Sequence, residues 1–308
     1  MRKIVLLSIV LSLFFLACHK DGVYNPKEKI KRIYIQWPSE KDETKDLLEE
    51  WTWDDKLLTK IEHFEREDPW YKRFIYEKKR LVRIETSEGT YFNIKYDGRH
   101  YDSMEGFYPD GRTALTMKFT HENNKISKME AKIYLYDDEF EKKSKNDITS
   151  VLEPFFPAEF TQSLKKIKSN MKNKGVYIGE STAIFTYDGD NLKEIKSERE
   201  DSDGGSWNIK HTYIKHDKKS NPKYRFIFGH DERAHDIGVA SKNNPLEVKC
   251  SWQEITIDDE GTHTYTESCV TTNDYKYSGK FPVEVKKTVR CEGDEYDYYQ
   301  YTIFYEYE

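Results

Sequence analysis

Trp51-Thr52-Trp53-Asp54-Asp55-Lys56-Leu57-Leu58-Thr59-Lys60-Ile61 is the stretch on which the reading of this chain turns. Its pattern is aromatic, any residue, aromatic, four residues rich in Asp, Gly and Lys, an apolar residue or Pro, two further residues, then Ile or Val. Phe74–Ile84 and Phe185–Ile195 repeat it, and Tyr275–Val285 repeats it more loosely. Aromatics at i and i+2 lie on one face of a strand, because side chains alternate. Asp, Gly, Asn and Lys between them and the later apolar residues supply turn chemistry. Each unit therefore predicts a β-hairpin. Leu81 and Ile84 are three apart, which a regular strand would put on opposite faces, so either a bulge intervenes or one of them meets a second layer. One hairpin cannot bury its aromatics alone, so the units must stand side by side.

Outward from these units the chain continues in short alternating runs. Ile30–Trp37 predicts a first strand stopped by Pro38. Turn signals follow at Asp54-Asp55, Lys78-Lys79, Ser87-Glu88-Gly89, Asp97-Gly98, Pro109-Asp110-Gly111 and Asn123-Asn124. One stretch reads differently. Pro157 suits a first helical turn, Phe160, Leu164, Ile167 and Met171 fall on one helical face, and Gly175 suits a stop. The fold expected is all-β: a large antiparallel meandering sheet of repeated hairpins, with one packed amphipathic helix near 157–174. The aromatic-x-Tyr-Asp…Leu-x-x-Ile unit, clearest at Tyr187-Asp188 and Tyr96-Asp97-Gly98, resembles the YD-type repeat of Bacteroidota surface lipoproteins without an assigned function. Tyr213–Pro222 and Ser241–Pro245 resemble their connecting segments. The resemblance implies an antiparallel β fold and a cell-envelope address, and no reaction.

The N-terminus carries a second signal. Arg2 and Lys3 precede an apolar run, Ile4–Leu16, of secretory-signal length and too short for a membrane span. It ends in Phe15-Leu16-Ala17-Cys18, which resembles the bacterial lipobox. The resemblance implies that residues 1–17 are cleaved and that Cys18 is acylated, palmitate included. Residues 18–29 then form the lipidated Cys and a polar tether, and 30–308 a single β-rich domain. Several acyl chains anchor durably where one is marginal. Lys20-Asp21 resembles the acidic export signal of Bacteroidota surface lipoproteins, which favours the outer face of the outer membrane over the periplasmic one.

The 308 residues are 34% charged and 15% aromatic, with 23 Tyr. Such an aromatic content argues against disorder. A net charge of -6, with acids and bases interspersed, leaves no footprint for nucleic acid. Lipidation of Cys18 would leave Cys250, Cys269 and Cys291. Hairpins centred on Asp259-Glu260 and on Lys280 place all three in one row across adjacent strands. In an oxidising envelope one pair of the three is a candidate disulfide, Cys250 with Cys269 first, and the row leaves open which of Cys250, Cys269 and Cys291 pair. No nucleophile elbow, phosphate loop, dinucleotide fingerprint or zinc motif is present, and no cofactor or metal is expected. His230, Asp231, His235 and Asp236 are the nearest thing to a metal cluster, and solvated loop residues account for them more simply. The expected function is a non-enzymatic envelope scaffold that binds a glycan, a peptide or a surface component through an aromatic-rich sheet. The alternative is an envelope hydrolase whose site lies in the irregular 216–245 segment.

Overall fold

A computed structural model describes residues 21–38, 44–64, 69–136, 176–201, 205–226, 240–258, 261–292 and 298–308. The first half of the chain forms β1 (Ile30–Gln36), β2 (Asp46–Asp54), β3 (Leu57–His63), β4 (Trp70–Glu77), β5 (Arg80–Thr86), β6 (Tyr91–Asp97), β7 (His100–Phe107), β8 (Thr113–Glu122) and β9 (Lys125–Tyr136). The second forms β10 (Val176–Asp188), β11 (Asn191–Asp201), β12 (Ser206–Ser220), β13 (Asn243–Asp258), β14 (Gly261–Ser278), β15 (Phe281–Glu292) and β16 (Tyr298–Tyr307). Each strand pairs antiparallel with the next, and β1 pairs with β16 from Ile30↔Tyr307 to Gln36↔Thr302. The result is a closed barrel of sixteen strands.

This corrects the expectation of a meandering sheet with a packed helix. The edge strands of such a sheet are paired to each other here, so no edge is left open among the described strands. No helix occurs among the described residues, and the segment expected to be helical, 157–174, lies outside them. The repeated units explain why closure is possible. Six hairpins, not four, share one construction. In β2/β3 the register shifts between Thr52 and Trp53, so that Thr52 pairs with Lys60 but Trp53 with Leu58. The same shift falls between Ile75 and Tyr76, Lys95 and Tyr96, Thr120 and His121, Thr186 and Tyr187, and Lys276 and Tyr277. One extra residue, Thr59 or Val82 in the first two, is bulged out. The bulge lets Leu81 and Ile84, three apart, both turn inward and be buried. Repeated bulges bend and twist the strands, as curvature into a barrel requires.

The second aromatic of the unit links neighbouring hairpins. The Tyr76 hydroxyl donates to the Leu58 carbonyl at 2.9 Å, and Tyr96 donates to the Leu81 carbonyl. Trp53 Nε1 donates to the Ile30 carbonyl and the Tyr307 hydroxyl to the Pro282 carbonyl, each at 2.7 Å. The first two links span from one hairpin to the next, and the last two tie the β2/β3 hairpin to β1 and β16 to the β14/β15 hairpin. Tyr76, Tyr96 and Trp53 are partly buried against the core, whereas the first aromatics Trp51, Phe74 and Phe185 belong to the core itself. Lys78 with Lys79, and Asn123 with Asn124, have positive φ in successive positions, the geometry of tight hairpin turns that follow the strand twist.

The two faces of the wall differ in chemistry. Inward positions such as Ile33, Ile61, Phe92, Met117, Ile133, Trp207 and Val289 form one apolar core. Outward positions carry ion pairs between neighbouring strands: Arg32–Glu50 at 2.7 Å, Lys95–Glu105 at 2.7 Å, Lys132–Glu180 at 2.6 Å, Lys210–Glu194 at 2.7 Å and Lys276–Glu284 at 2.8 Å. Lys31–Glu306 at 2.9 Å continues the series across the closing seam.

Candidate functional site

The tight turns after the even-numbered strands gather at one end of the barrel, and the N-terminal segment docks there. The Asp21 amide donates to the Arg99 carbonyl and the Leu81 amide to the Gly22 carbonyl, each at 2.9 Å. Gly22 has a φ of 76°, and the Tyr96 hydroxyl occupies the space a Cβ would need. Only glycine fits both demands. Tyr24 is buried, its ring 4.7 Å from that of Phe226, and its hydroxyl donates to the Pro222 carbonyl at 2.6 Å. Burial pushes its phenol pKa upward, as it does for Tyr101. Residues 21–24 thus reach into the barrel mouth.

A cavity of about 280 Å³ opens beside this segment, walled by Val23, Tyr101, Ile126 and Tyr187, with Lys125 and Asp190 among its polar groups. Lys125 Nζ donates to the Gly189 carbonyl, pairs with Asp190 at 3.4 Å and stands 5.3 Å over the Tyr187 ring. A hydrogen bond from Lys242, with help from Lys125, holds the Asp190 carboxyl below its ordinary range. The walls are apolar and aromatic, with a few placed charges, which suits binding of a small amphiphilic group.

Asp21 also brings together two histidines. Its Oδ2 lies 3.3 Å from His100 Nδ1 and 3.1 Å from His121 Nε2, and the two rings stack at 4.6 Å. Asp21 and His121 side chains are each 11% exposed. Neither histidine was singled out from the sequence. His121 occupies the slot filled by Trp53, Tyr76, Tyr96, Tyr187 and Tyr277 in the other units. Phe119-Thr120-His121…Ile126…Met129 and Ile94-Lys95-Tyr96…Tyr101…Met104 keep the unit's spacing with substituted residues. A template relaxed to admit Ile in the first slot, His in the second and Met in the last would have found both.

The sequence candidates fare differently. His230, Asp231, His235 and Asp236 lie outside the described residues, as does Cys18. The described parts of the 216–245 segment bind one another. Asp217 Oδ1 accepts from the Lys219 and Asn244 amides at 2.9 and 3.1 Å, and its Oδ2 accepts from Asn244 Nδ2 at 3.0 Å and from the Tyr277 hydroxyl. Ser241 Oγ accepts from the Leu192 amide at 3.0 Å and lies 3.2 Å from His216 Nε2. Asp217 is thereby committed to holding backbone. The cysteines do share a row, with Cys250 opposite Cys269 and Cys269 opposite Cys291. The disulfide, however, joins Cys269 to Cys291 rather than the candidate Cys250–Cys269 pair, and Cys250 is a buried thiol outside that bond. Burial pushes the Cys250 pKa upward, with Glu267 adding to it. A second group of metal-type donors, Glu267 with Cys269 and Cys291, is occupied by that disulfide.

The class of protein so defined is a closed antiparallel β-barrel with a mainly apolar interior that also buries Lys72, Arg199 and Lys287, a charged outer wall and a cavity at the turn end. No family model matches the chain, and neither does any curated protein. Among solved structures, a porin-like protein from Bacteroides uniformis is similar: TM-score 0.50, 11% identity, with 94% of this chain and 100% of that chain covered. At that identity the likeness is one of fold.

Proposed function

We propose that this chain is an envelope lipoprotein whose barrel stands in water, held to the outer membrane by an acylated Cys18, and that it serves as a non-enzymatic binding or structural scaffold. The observation that carries this reading is the outer wall. A transmembrane barrel turns an apolar band to lipid and keeps polar groups inside. Here the cross-strand ion pairs ring the outside, and Ile, Phe, Trp and Met make up most of the inside, with a minority of buried polar side chains such as Lys72, Arg199, His211 and Lys287 among them. Lysine and arginine side chains on a lipid face would each cost about 2–4 kcal/mol at the bilayer midplane, and the carboxylates somewhat less. Such a barrel needs a separate device to stay at a membrane, and Phe15-Leu16-Ala17-Cys18 supplies one. The lipobox and YD-unit resemblances support the same address, with the outer face favoured by Lys20-Asp21. The binding role rests on the turn-end cavity, and a glycan or peptide is the class of ligand favoured by its aromatic walls and few charges.

The test is fractionation. Cys18→Ala should abolish labelling by a fatty-acid analogue and move the folded protein from the membrane pellet to the soluble fraction. A mutant that stays in the pellet after alkaline wash would show a barrel inserted in lipid and would overturn the reading. A glycan array and a peptide pull-down with the released protein then examine the ligand class.

A further inference from the structure

We propose that Asp21, His100 and His121 form a site for one divalent transition-metal ion of the Zn²⁺ type, and that the ion fixes the N-terminal segment to the barrel mouth. The three groups come from three separate elements: the segment before β1, the start of β7 and the end of β8. Their ligand atoms nevertheless converge within 4.8 Å of one another. Tetrahedral ligands about 2.0–2.1 Å from a zinc ion stand roughly 3.3 Å apart. The Asp21 oxygen stands 3.3 Å from His100 Nδ1 and 3.1 Å from His121 Nε2.

Two alternatives fit less well. If the cluster were an ion pair alone, one carboxylate would serve two imidazoles, and protonating both would set like charges on rings 4.6 Å apart. If it were a set of neutral hydrogen bonds, His121 Nε2 would have found a partner. That nitrogen is buried, faces Asp21, and makes no hydrogen bond of acceptable geometry. A buried polar atom left so carries a desolvation penalty, which a metal bond would remove. Two imidazoles and one carboxylate suit zinc and its neighbours, whereas calcium and magnesium prefer all-oxygen sites.

The surroundings are already built. The Tyr101 amide donates to Asp21 Oδ2 at 3.0 Å, and Arg80 Nε donates to the Asp21 carbonyl at 3.0 Å. The Asp21 amide is held by Arg99. Such outer partners orient a ligand carboxylate before the ion arrives. Three protein ligands leave a fourth position for water or a ligand atom, and Asp21 is itself part of the cavity lining. The consequence for anchoring rests on the lipoprotein reading: Asp21 follows Cys18 by three residues, so an ion here would pin the barrel mouth close to the lipid.

The experiment uses the full chain in detergent micelles, with Cys18→Ser in every sample so that neither lipidation nor that thiol affects the outcome. Metal is removed with a chelator, and Zn²⁺ is titrated against a chromophoric competitor. One Zn²⁺ per chain is expected, with affinity reduced about tenfold or more in Asp21→Asn and in His121→Gln. Zn²⁺ should raise the melting temperature of the parent and slow proteolysis near residue 21, and should do neither in Asp21→Asn. Asn keeps the shape of Asp, and the metal-free melting curve of the variant checks its folding. If His121→Gln alone folds poorly, Asp21→Asn still decides. No stoichiometric uptake, or equal uptake by parent and both variants, would overturn the proposal.

Discussion

Tyr76 shows how a single residue type holds this wall together. Its ring is partly buried and its hydroxyl reaches the Leu58 carbonyl of the preceding hairpin. Burial pushes its pKa upward. Tyr76→Phe removes one hydrogen bond, at a cost of about 1 kcal/mol. Tyr76→Ala also removes the ring and should cost roughly 3–5 kcal/mol. Unfolding free energies of the two variants should separate by about 2–4 kcal/mol, and near-equal values would show that the ring packs against nothing of consequence. His216 gives a pH-dependent counterpart. Burial lowers its pKa despite the nearby Asp217 and Asp188 carboxylates. A base with a depressed folded pKa contributes stability above its unfolded value, about 6.5, and loses it as pH falls toward the folded value, because the unfolded chain takes the proton first. The stability difference between the parent and His216→Gln should therefore shrink from about pH 7.5 to about pH 5. A difference that grows on acidification would reverse the sign and refute the assignment.

At the scale of the element, the hairpin was legible and its full count was not. The spacing of Phe74, Tyr76, Leu81 and Ile84 carries the strand, the turn and the need for a bulge, because a side-chain period of two cannot otherwise put residues three apart on one face. Two further copies fall outside the eleven-residue template, although Tyr96-Asp97-Gly98 carries the YD resemblance, because Ile94, Met104, His121 and Met129 fill its positions with different chemistry. The site was illegible for a related reason. Asp21, His100 and His121 are brought together by closure of the wall and docking of the N-terminal segment, and no short motif joins them. The cysteine row was readable from hairpin symmetry, but register alone does not say which neighbour Cys269 bonds. Peptide mapping without reduction should recover a Cys269–Cys291 linked pair. Cys250 should react with an alkylating agent only after denaturation, since its thiol is buried and its pKa is raised. Reduction of the native bond, which closes a loop between residues 22 apart, should cost about 3 kcal/mol. A Cys250–Cys269 peptide, or ready labelling of native Cys250, would contradict this arrangement.

At the scale of the whole molecule, closure was the property the sequence withheld. The pairing of β1 with β16 joins residues at opposite ends of the chain, and local patterns carry no information on whether two edges meet. Which face turns inward was readable in part, since Tyr301 and Ile303 alternate with Gln300 and Thr302 and the former are buried. The inside-out relation to a lipid-spanning barrel can be tested at one outward residue. Ile184 lies on the outer face of β10 and is 47% exposed, with Lys128 on β9 and Lys196 on β11 as its cross-strand partners. If that face meets lipid, Ile184→Glu buries a carboxylate in hydrocarbon and should destabilise the barrel. If it meets water, the new carboxylate gains two lysine neighbours and loses little, so stability should shift by no more than about 0.5 kcal/mol. The adjacent inward substitution Phe185→Glu buries a charge without a built partner and should cost more than about 4 kcal/mol in either setting. Unfolding curves of the two variants in the Cys18→Ala background should differ by nearly the whole of that amount. An Ile184→Glu variant that folds only in the presence of lipid or detergent would place the wall inside the membrane.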